Sequence, residues 1–231
     1  MKKFAMAAVV ALSLSTVSAE TCASSFSGFY AGAQLGMNSV SGSQKLETSV
    51  AASQLKNDLG KKSFMGGLFA GYGMGVGSCA YVGGELYLNF GNNSLNAREV
   101  QNVKDTLKNT YNLGAKVRLG YTISQQAMVF LGLGMEKAKW QAKSVLDAAN
   151  AGRAANTYKK NKSTFAFAPS VGMDMFVNKN LFIRGEFTYV LAPKMKITGA
   201  TDTPMAGITG GQVYKLNATQ QRFTLGLGYK F

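Results

Sequence analysis

The sequence predicts an all-β fold, an eight-stranded antiparallel up-and-down transmembrane β-barrel, on three observations. Eight runs alternate apolar and non-apolar residues with a period of two. The connections between the runs alternate short and long. Charged residues inside the runs fall on the parity that the apolar residues leave free. A period of two places successive side chains on opposite faces of a strand. A tilted strand of about 9 to 11 residues crosses a bilayer.

The first run covers Phe26 to Met37, with Phe29, Leu35 and Met37 on the apolar face. The second covers Ser63 to Met74, with Phe64, Leu68 and Tyr72. The third covers Cys79 to Phe90, with Val82, Leu86, Leu88 and Phe90. The fourth covers Thr110 to Tyr121, with Tyr111, Leu113, Val117 and Leu119. The fifth covers Ala127 to Glu136, with Val129, Leu131, Leu133 and Met135. The sixth covers Ser163 to Phe176, with Phe165, Phe167, Val171 and Met173. The seventh covers Leu181 to Val190, with Ile183, Phe187 and Tyr189. The eighth covers Gln221 to Phe231, with Phe223, Leu225, Leu227, Tyr229 and Phe231.

Two runs carry irregularities. Pro169 sits on the apolar parity of the sixth, and proline cannot donate to a ladder, so a bulge or bend is expected there. Past Glu136 the fifth run reverses polarity, with Lys137, Lys139, Gln141 and Lys143 on the formerly apolar parity. The strand is expected to rise out of the membrane into water at that point.

The connections at 75–78, 122–126 and 177–180 are short, and those at 38–62, 91–109, 137–162 and 191–220 are long. Short turns at one end and long loops at the other are what a transmembrane barrel shows. An even number of strands puts both termini at the short-turn end. In the long loops, 45–59 and 97–107 have apolar spacings that suit a short amphipathic helix, and mobile polar loops fit them equally.

Side-chain chemistry adds two tests. The apolar face should carry rings at both interfaces. Phe64, Phe90, Tyr111, Phe165, Tyr189 and Phe223 lie at the loop end; Phe29, Tyr72, Tyr121, Tyr229 and Phe231 lie at the turn end. The other parity holds Glu85, Lys116, Arg118, Glu136, Asp174, Arg184, Glu186, Arg222 and Lys230. A soluble barrel of lipocalin type, apolar inside and charged outside, shares the alternation. The ring belts and the short–long rhythm separate the two.

The chain opens with Lys2 and Lys3, an uncharged stretch from Phe4 to Val17, and small residues at Val17 and Ala19. This reads as a secretory signal peptide, residues 1–19, cleaved before Glu20. The 25 basic and 11 acidic residues give a net charge of +14, and loss of Lys2 and Lys3 lowers it by two. Such a charge fits nucleic acid, but export argues against that partner. Anionic lipids and glycans are the expected neighbours.

The start Phe26-Ser27-Gly28-Phe29-Tyr30-Ala31-Gly32 and the end Leu225-Gly226-Leu227-Gly228-Tyr229-Lys230-Phe231 resemble the small outer-membrane β-barrel superfamily. That superfamily includes opacity-type, OmpA- or OmpX-like and alphaproteobacterial members. The resemblance implies that residues 20–231 form one barrel domain in the outer membrane of a Gram-negative cell, with both termini in the periplasm. It implies partners: outer-membrane lipid and lipopolysaccharide, the barrel-insertion machinery that reads Phe223, Leu225, Leu227, Tyr229 and Phe231, and host surface glycans. Members act as structural surface proteins and adhesins, so a structural or adhesion role is expected, with a porin-like small-solute channel as the alternative. Enzymes on this architecture resemble one another in needing a histidine base. The chain has no histidine, and no catalysis is expected.

The remaining candidates follow from chemistry. Eight strands enclose a lumen that side chains can fill, and charges buried there must pair or meet water. The interior charges then form either a plug or a gate. Inward Gly71, Gly114, Gly132, Gly134, Gly226 and Gly228 leave room for long side chains. No metal or other cofactor is expected, since two separated cysteines and no histidine make no ligand cluster. Cys22 and Cys79 would both lie at the turn end in an oxidising compartment, and the bonded and free states both stay open. In the third long loop Lys137, Lys139, Lys143, Arg153, Lys159, Lys160 and Lys162 stand against Asp147. They are candidates for lipopolysaccharide phosphates or for sulfated or sialylated glycans.

Overall fold

The structure is a computed structural model, and it describes residues 25–47, 58–100, 103–146, 157–191, 195–198 and 213–231. Strands β1 (Gly28–Glu47), β2 (Asp58–Val76), β3 (Ala80–Val100), β4 (Val103–Thr122), β5 (Ala127–Leu146), β6 (Thr157–Phe176), β7 (Leu181–Leu191), β8 (Met195–Thr198) and β9 (Val213–Lys230) follow in chain order. Each strand from β1 to β7 pairs antiparallel with the next, β7 pairs with β9, and β1 pairs with β9 to close the barrel. The four-residue β8 continues the β7 ladder along β9, from Met195↔Leu216 to Thr198↔Val213. The wall therefore has eight spans, and sequential antiparallel neighbours make it an up-and-down barrel.

The sense of the alternation excludes the soluble alternative. Leu35 is 73% exposed and Phe64 80%, while Arg118 and Arg184 are each 1% exposed. Apolar side chains look out of the barrel and charged ones look in. Water cannot cover such an outer wall favourably, whereas lipid can.

At one end the spans join by tight turns. The β2–β3 turn uses Gly77 at φ 67°, a left-handed conformation that glycine adopts without penalty. In the β4–β5 turn Ser124 Oγ accepts from the amides of Gln126 (3.3 Å) and Ala127 (3.1 Å). In the β6–β7 turn Asn178 Oδ1 accepts from those of Asn180 (3.0 Å) and Leu181 (2.7 Å). Short polar side chains that bond the backbone two or three residues on fix such turns.

At the other end the strands run beyond what a bilayer needs. β1, β4, β5 and β6 have 20 residues each and β3 has 21, against about 10 for a tilted crossing. The long connections expected at 91–109 and 137–162 are therefore largely strand. Of the helix and the mobile loop that fit 97–107 equally, the helix is not formed where described, because Leu95 and Asn96 pair with Leu107 and Thr106, and Arg98 to Val100 with Asp105 to Val103, across β3 and β4. The stretch 45–59, for which a helix and a mobile loop fit equally, falls on β1 and β2 at its two ends, and 48–57 lie outside the described residues.

The projecting part separates into two flaps among the described residues. The β2–β3 ladder reaches only to Met65↔Gly91, and the β6–β7 ladder only to Phe167↔Leu191. Beyond those points β3–β4–β5–β6 form one flap and β2–β1–β9–β8 the other. Bulges lie between Phe90 and Asn93, between Asn96 and Arg98, and between Asn109 and Tyr111. Pro169 makes none. It pairs with Leu133 on β5, and the β7 ladder passes over Ala168 and Pro169 with its register kept. A missing donor is harmless where that ladder gives out.

Candidate functional site: the ion-paired lumen

Eight charged side chains converge in the barrel because each occupies the inward parity of its strand. Glu85 comes from β3, Lys116 and Arg118 from β4, Glu136 from β5, Asp174 from β6, Arg184 and Glu186 from β7, and Arg222 from β9. All are buried. Arg184 is the hinge of the larger cluster. Its Nε lies 2.8 Å from Asp174 Oδ1 and its Nη1 2.6 Å from Glu85 Oε2. Arg118 Nη2 reaches the same Asp174 at 2.6 Å, and its Nη1 lies 3.5 Å from Glu85 Oε2. Lys116 Nζ bridges Glu85 Oε1 at 3.0 Å and Glu186 Oε1 at 2.5 Å. The Tyr30 hydroxyl donates to Glu85 Oε2 (2.9 Å) and accepts from Arg118 Nη1 (3.1 Å).

The charges in this cluster balance. Lys116, Arg118 and Arg184 meet Glu85, Asp174 and Glu186. A second pair lies toward the loop end, where Arg222 Nη1 and Nη2 meet Glu136 at 3.0 and 3.2 Å. Tyr87 donates to the same carboxylate at 3.2 Å. Forked guanidinium–carboxylate bonds of this kind are strong and hold a fixed geometry. An amide layer follows, with Gln34 bonded to Asn89 (2.7 Å) and Asn38 to Gln220 (3.1 Å).

Lys230, also on the inward parity, stands apart. It is part-buried at the turn end, donates to the Ser25 carbonyl (2.8 Å) and lies over the Phe176 ring.

Sequence reasoning missed the inward rings. Tyr30, Phe69, Tyr87 and Phe182 form one buried cluster; Phe26, Tyr81, Met128 and Phe130 form another nearer the turns. The guanidinium of Arg118 lies 3.8 Å from the Phe130 ring centroid and that of Arg184 lies 4.3 Å from Phe69. The rings complete the desolvation of the charges and add cation–π attraction. The inward glycines serve mainly these rings. A Cβ at Gly71 would meet Tyr30, at Gly114 Tyr87, and at Gly228 Phe182, while at Gly226 it would touch both Phe69 and Arg184. At Gly132 and Gly134 the neighbours are Ser170 and Lys116. The available signal was an aromatic on the polar parity facing a glycine across the ladder.

On the outside, the rings gather toward the two ends of the spans. Phe29 and Tyr72 pack at 4.7 Å between centroids, and Tyr229 and Phe231 at 5.2 Å. Tyr121 is exposed beside them. Phe64, Phe90, Tyr111, Phe165 and Phe223 are exposed at the loop end, with Tyr189 half-buried. Lys137 and Lys139 stand level with that belt, paired with Phe165 on β6 and with Tyr111 on β4. Lys143 lies on β5 and Lys159, Lys160 and Lys162 lie on β6, rather than in a loop. Arg153 and Asp147 fall outside the described residues. So does Cys22, and the bonded and free states of Cys22 and Cys79 both stay open. Among the described residues no group of three metal-ligating side chains gathers.

The sequence profile of the outer membrane protein beta-barrel domain matches residues 4–231. Among solved structures, the chain is similar to the outer membrane protein OprG from Pseudomonas aeruginosa at 13% identity, covering 92% of this chain and 99% of that one, with a TM-score of 0.57. It is similar to Ail, the attachment invasion locus protein of Yersinia pestis, solved with the heparin analogue sucrose octasulfate, at 13% identity, 88% and 99% coverage and a TM-score of 0.45. Neisserial surface protein A follows at 15% identity, 89% and 98% coverage and 0.41. At these identities the likeness is one of fold. No curated protein matches the sequence.

Proposed function

The chain belongs to the family of outer-membrane protein β-barrel domains, and on that premise we propose that it is a non-conducting surface protein. Its closed barrel anchors basic hairpins that contact anionic ligands outside the cell. Residues 1–19 direct export, the short turns face the periplasm, and the flaps face outward.

The observation that supports the closed barrel is the dryness of the lumen charges. The side chains of Arg184 and Glu136 are 0% exposed and those of Glu85 and Arg118 are 1% exposed. A conducting lumen would keep its charged lining wet. The cross-section is instead filled by paired charges, rings and amides, and a permeating ion would have to displace bonds of 2.5 to 3.0 Å. The barrel refolded into planar bilayers is expected to leave the conductance at its baseline. Steady, reproducible openings would support the channel reading instead.

The contact role rests on the lysines that β5 and β6 carry beyond the ring belt, a density of positive charge suited to sulfated or sialylated glycans. Cells displaying the protein are expected to be retained on heparin beads at low salt and released at high salt. Replacing Lys159, Lys160 and Lys162 by glutamine should abolish retention. Retention unchanged by that variant would remove the adhesion role. No histidine is available as a base, and the reading is non-catalytic.

A further inference from the structure

At its start the chain leaves the barrel wall sooner than its neighbour does. The β1–β2 ladder begins at Gly28↔Gly73, yet β2 runs on to Val76 beside β3. A longer β1 would have followed it. Instead Gly28 takes φ 126°, a conformation that glycine adopts freely and an L side chain rarely does. The bend swings the preceding residues off the wall and across the turn-end mouth. Ser27 Oγ accepts from the Gly75 amide at 2.9 Å, in place of the ladder bond that a longer β1 would supply. From β9, Lys230 Nζ donates to the Ser25 carbonyl at 2.8 Å.

Between these catches Phe26 enters the lumen. It is 6% exposed, and its ring lies 4.8 Å from that of Phe176 on β6. It shares a buried cluster with Tyr81 from β3 and with Met128 and Phe130 from β5. A residue that precedes the first strand is thus packed against strands from across the barrel. The same rings floor the ion pairs. The Arg118 guanidinium lies 3.8 Å from the Phe130 centroid and 5.7 Å from that of Tyr81. Phe176 stacks in turn on Phe182 at 5.7 Å, and Phe182 lies 5.5 Å from the Arg184 guanidinium. These rings stand between the charge cluster and the turn-end mouth, and Phe26 is the one that reaches them from outside the wall.

We propose that residues 25–28 form a lid on the turn-end mouth, in which Phe26 is the stopper, Gly28 the hinge, and Ser27 and Lys230 the catches. With the stopper seated, the charge cluster is dry from that side. With it withdrawn, water reaches Tyr81 and Phe130, and then Arg118 and Asp174. Side-chain bonds and ring packing hold the lid, whereas continuous ladders hold the wall. The lid therefore opens as a local unit while the barrel stays closed. The inference deepens the closed-barrel reading at the turn end, and a loop-end probe tests that reading apart from it.

The experiment uses the refolded full chain in micelles, in a Cys22→Ser/Cys79→Ser background that carries one new thiol at a time. Met128→Cys places the thiol beneath the stopper, and Ala138→Cys places it at a buried position toward the loop end. A charged, water-soluble methanethiosulfonate reports water access, and heat-modified gel mobility shows that each variant is folded. The Met128→Cys thiol is expected to react about tenfold to a hundredfold faster when Phe26→Gly is added, the factor that burial of one ring contributes to a local opening. Phe26→Leu keeps an apolar stopper and should stay close to the parent. Gly28→Ala disfavours the bend and should raise the rate as well. The Ala138→Cys thiol should react slowly in every background. Equal rates at Met128→Cys with and without Phe26, or an equal acceleration at Ala138→Cys, would overturn the lid. Fast reaction at Ala138→Cys in the parent, with Met128→Cys slow until Phe26 is replaced, would contradict the dry loop end and still support the lid.

Discussion

Replacing Arg184 with alanine should destabilise the barrel by about 3 to 5 kcal/mol, the cost of breaking a buried ion pair from one side. The guanidinium makes a forked contact to Asp174 and a third bond to Glu85. Without it three buried carboxylates face only Lys116 and Arg118, and the excess negative charge has no water to meet. Arg184→Lys keeps the charge but loses the fork, so it should fall between parent and alanine variant. The smaller pair supplies an internal control. Arg222→Met alone leaves Glu136 buried against Tyr87, whereas Arg222→Met with Glu136→Met removes both charges and should recover much of the loss. Equilibrium urea unfolding from lipid vesicles measures each value. A loss below about 1 kcal/mol for Arg184→Ala would mean that water reaches the cluster.

The second large effect belongs to the outer wall. Leu131 lies midway along the spanning part of β5, opposite Leu119 and Val171 on its neighbours. Leu131→Arg should destabilise by about 2 to 4 kcal/mol, the penalty for a cation at the bilayer midplane. A residue 59% exposed to water would tolerate arginine within about 0.5 kcal/mol. The two outcomes are far enough apart for vesicle unfolding to decide what solvent surrounds β5.

Much of the fold was legible because the membrane enforces contrast. Between the ring belts one face of each strand meets lipid and the other meets the lumen, so the alternation in Leu131-Gly132-Leu133-Gly134-Met135 reads directly as a wall. Legibility ends where the bilayer ends. Past Tyr111 and Phe90 the period-two contrast in the sequence fades, and Ala97 to Leu107 has the spacing of a helix although β3 and β4 pair through it. Cross-strand pairing, which a single sequence does not display, decides those residues. The lumen was legible by parity for its charges and illegible for its rings. Phe130 sits between Val129 and Leu131, Phe182 between Leu181 and Ile183, and Tyr81 between Ala80 and Val82. Each makes a continuous apolar triplet in which the inward member does not stand out. Which carboxylate meets which guanidinium depends on depth along the barrel, and only the register supplies that. Asp174 meets Arg184 directly across β6 and β7, whereas Glu85 reaches it from β3 across the lumen.

The sorting of side chains between lipid and lumen is open to a single optical measurement. The chain has one tryptophan, Trp140, so a Trp140→Phe background permits one new tryptophan at a time. Placed at Leu131 or at Phe69 in vesicles of lipid brominated near the acyl-chain ends, the two probes lie in the middle part of their spans, one on the outer face of the wall and one on the inner. Strong quenching of the Leu131→Trp probe and weak quenching of the Phe69→Trp probe is the expected result. Stronger quenching at position 69 than at 131 would mean that the apolar faces do not contact the membrane, and the barrel described here would be inside out.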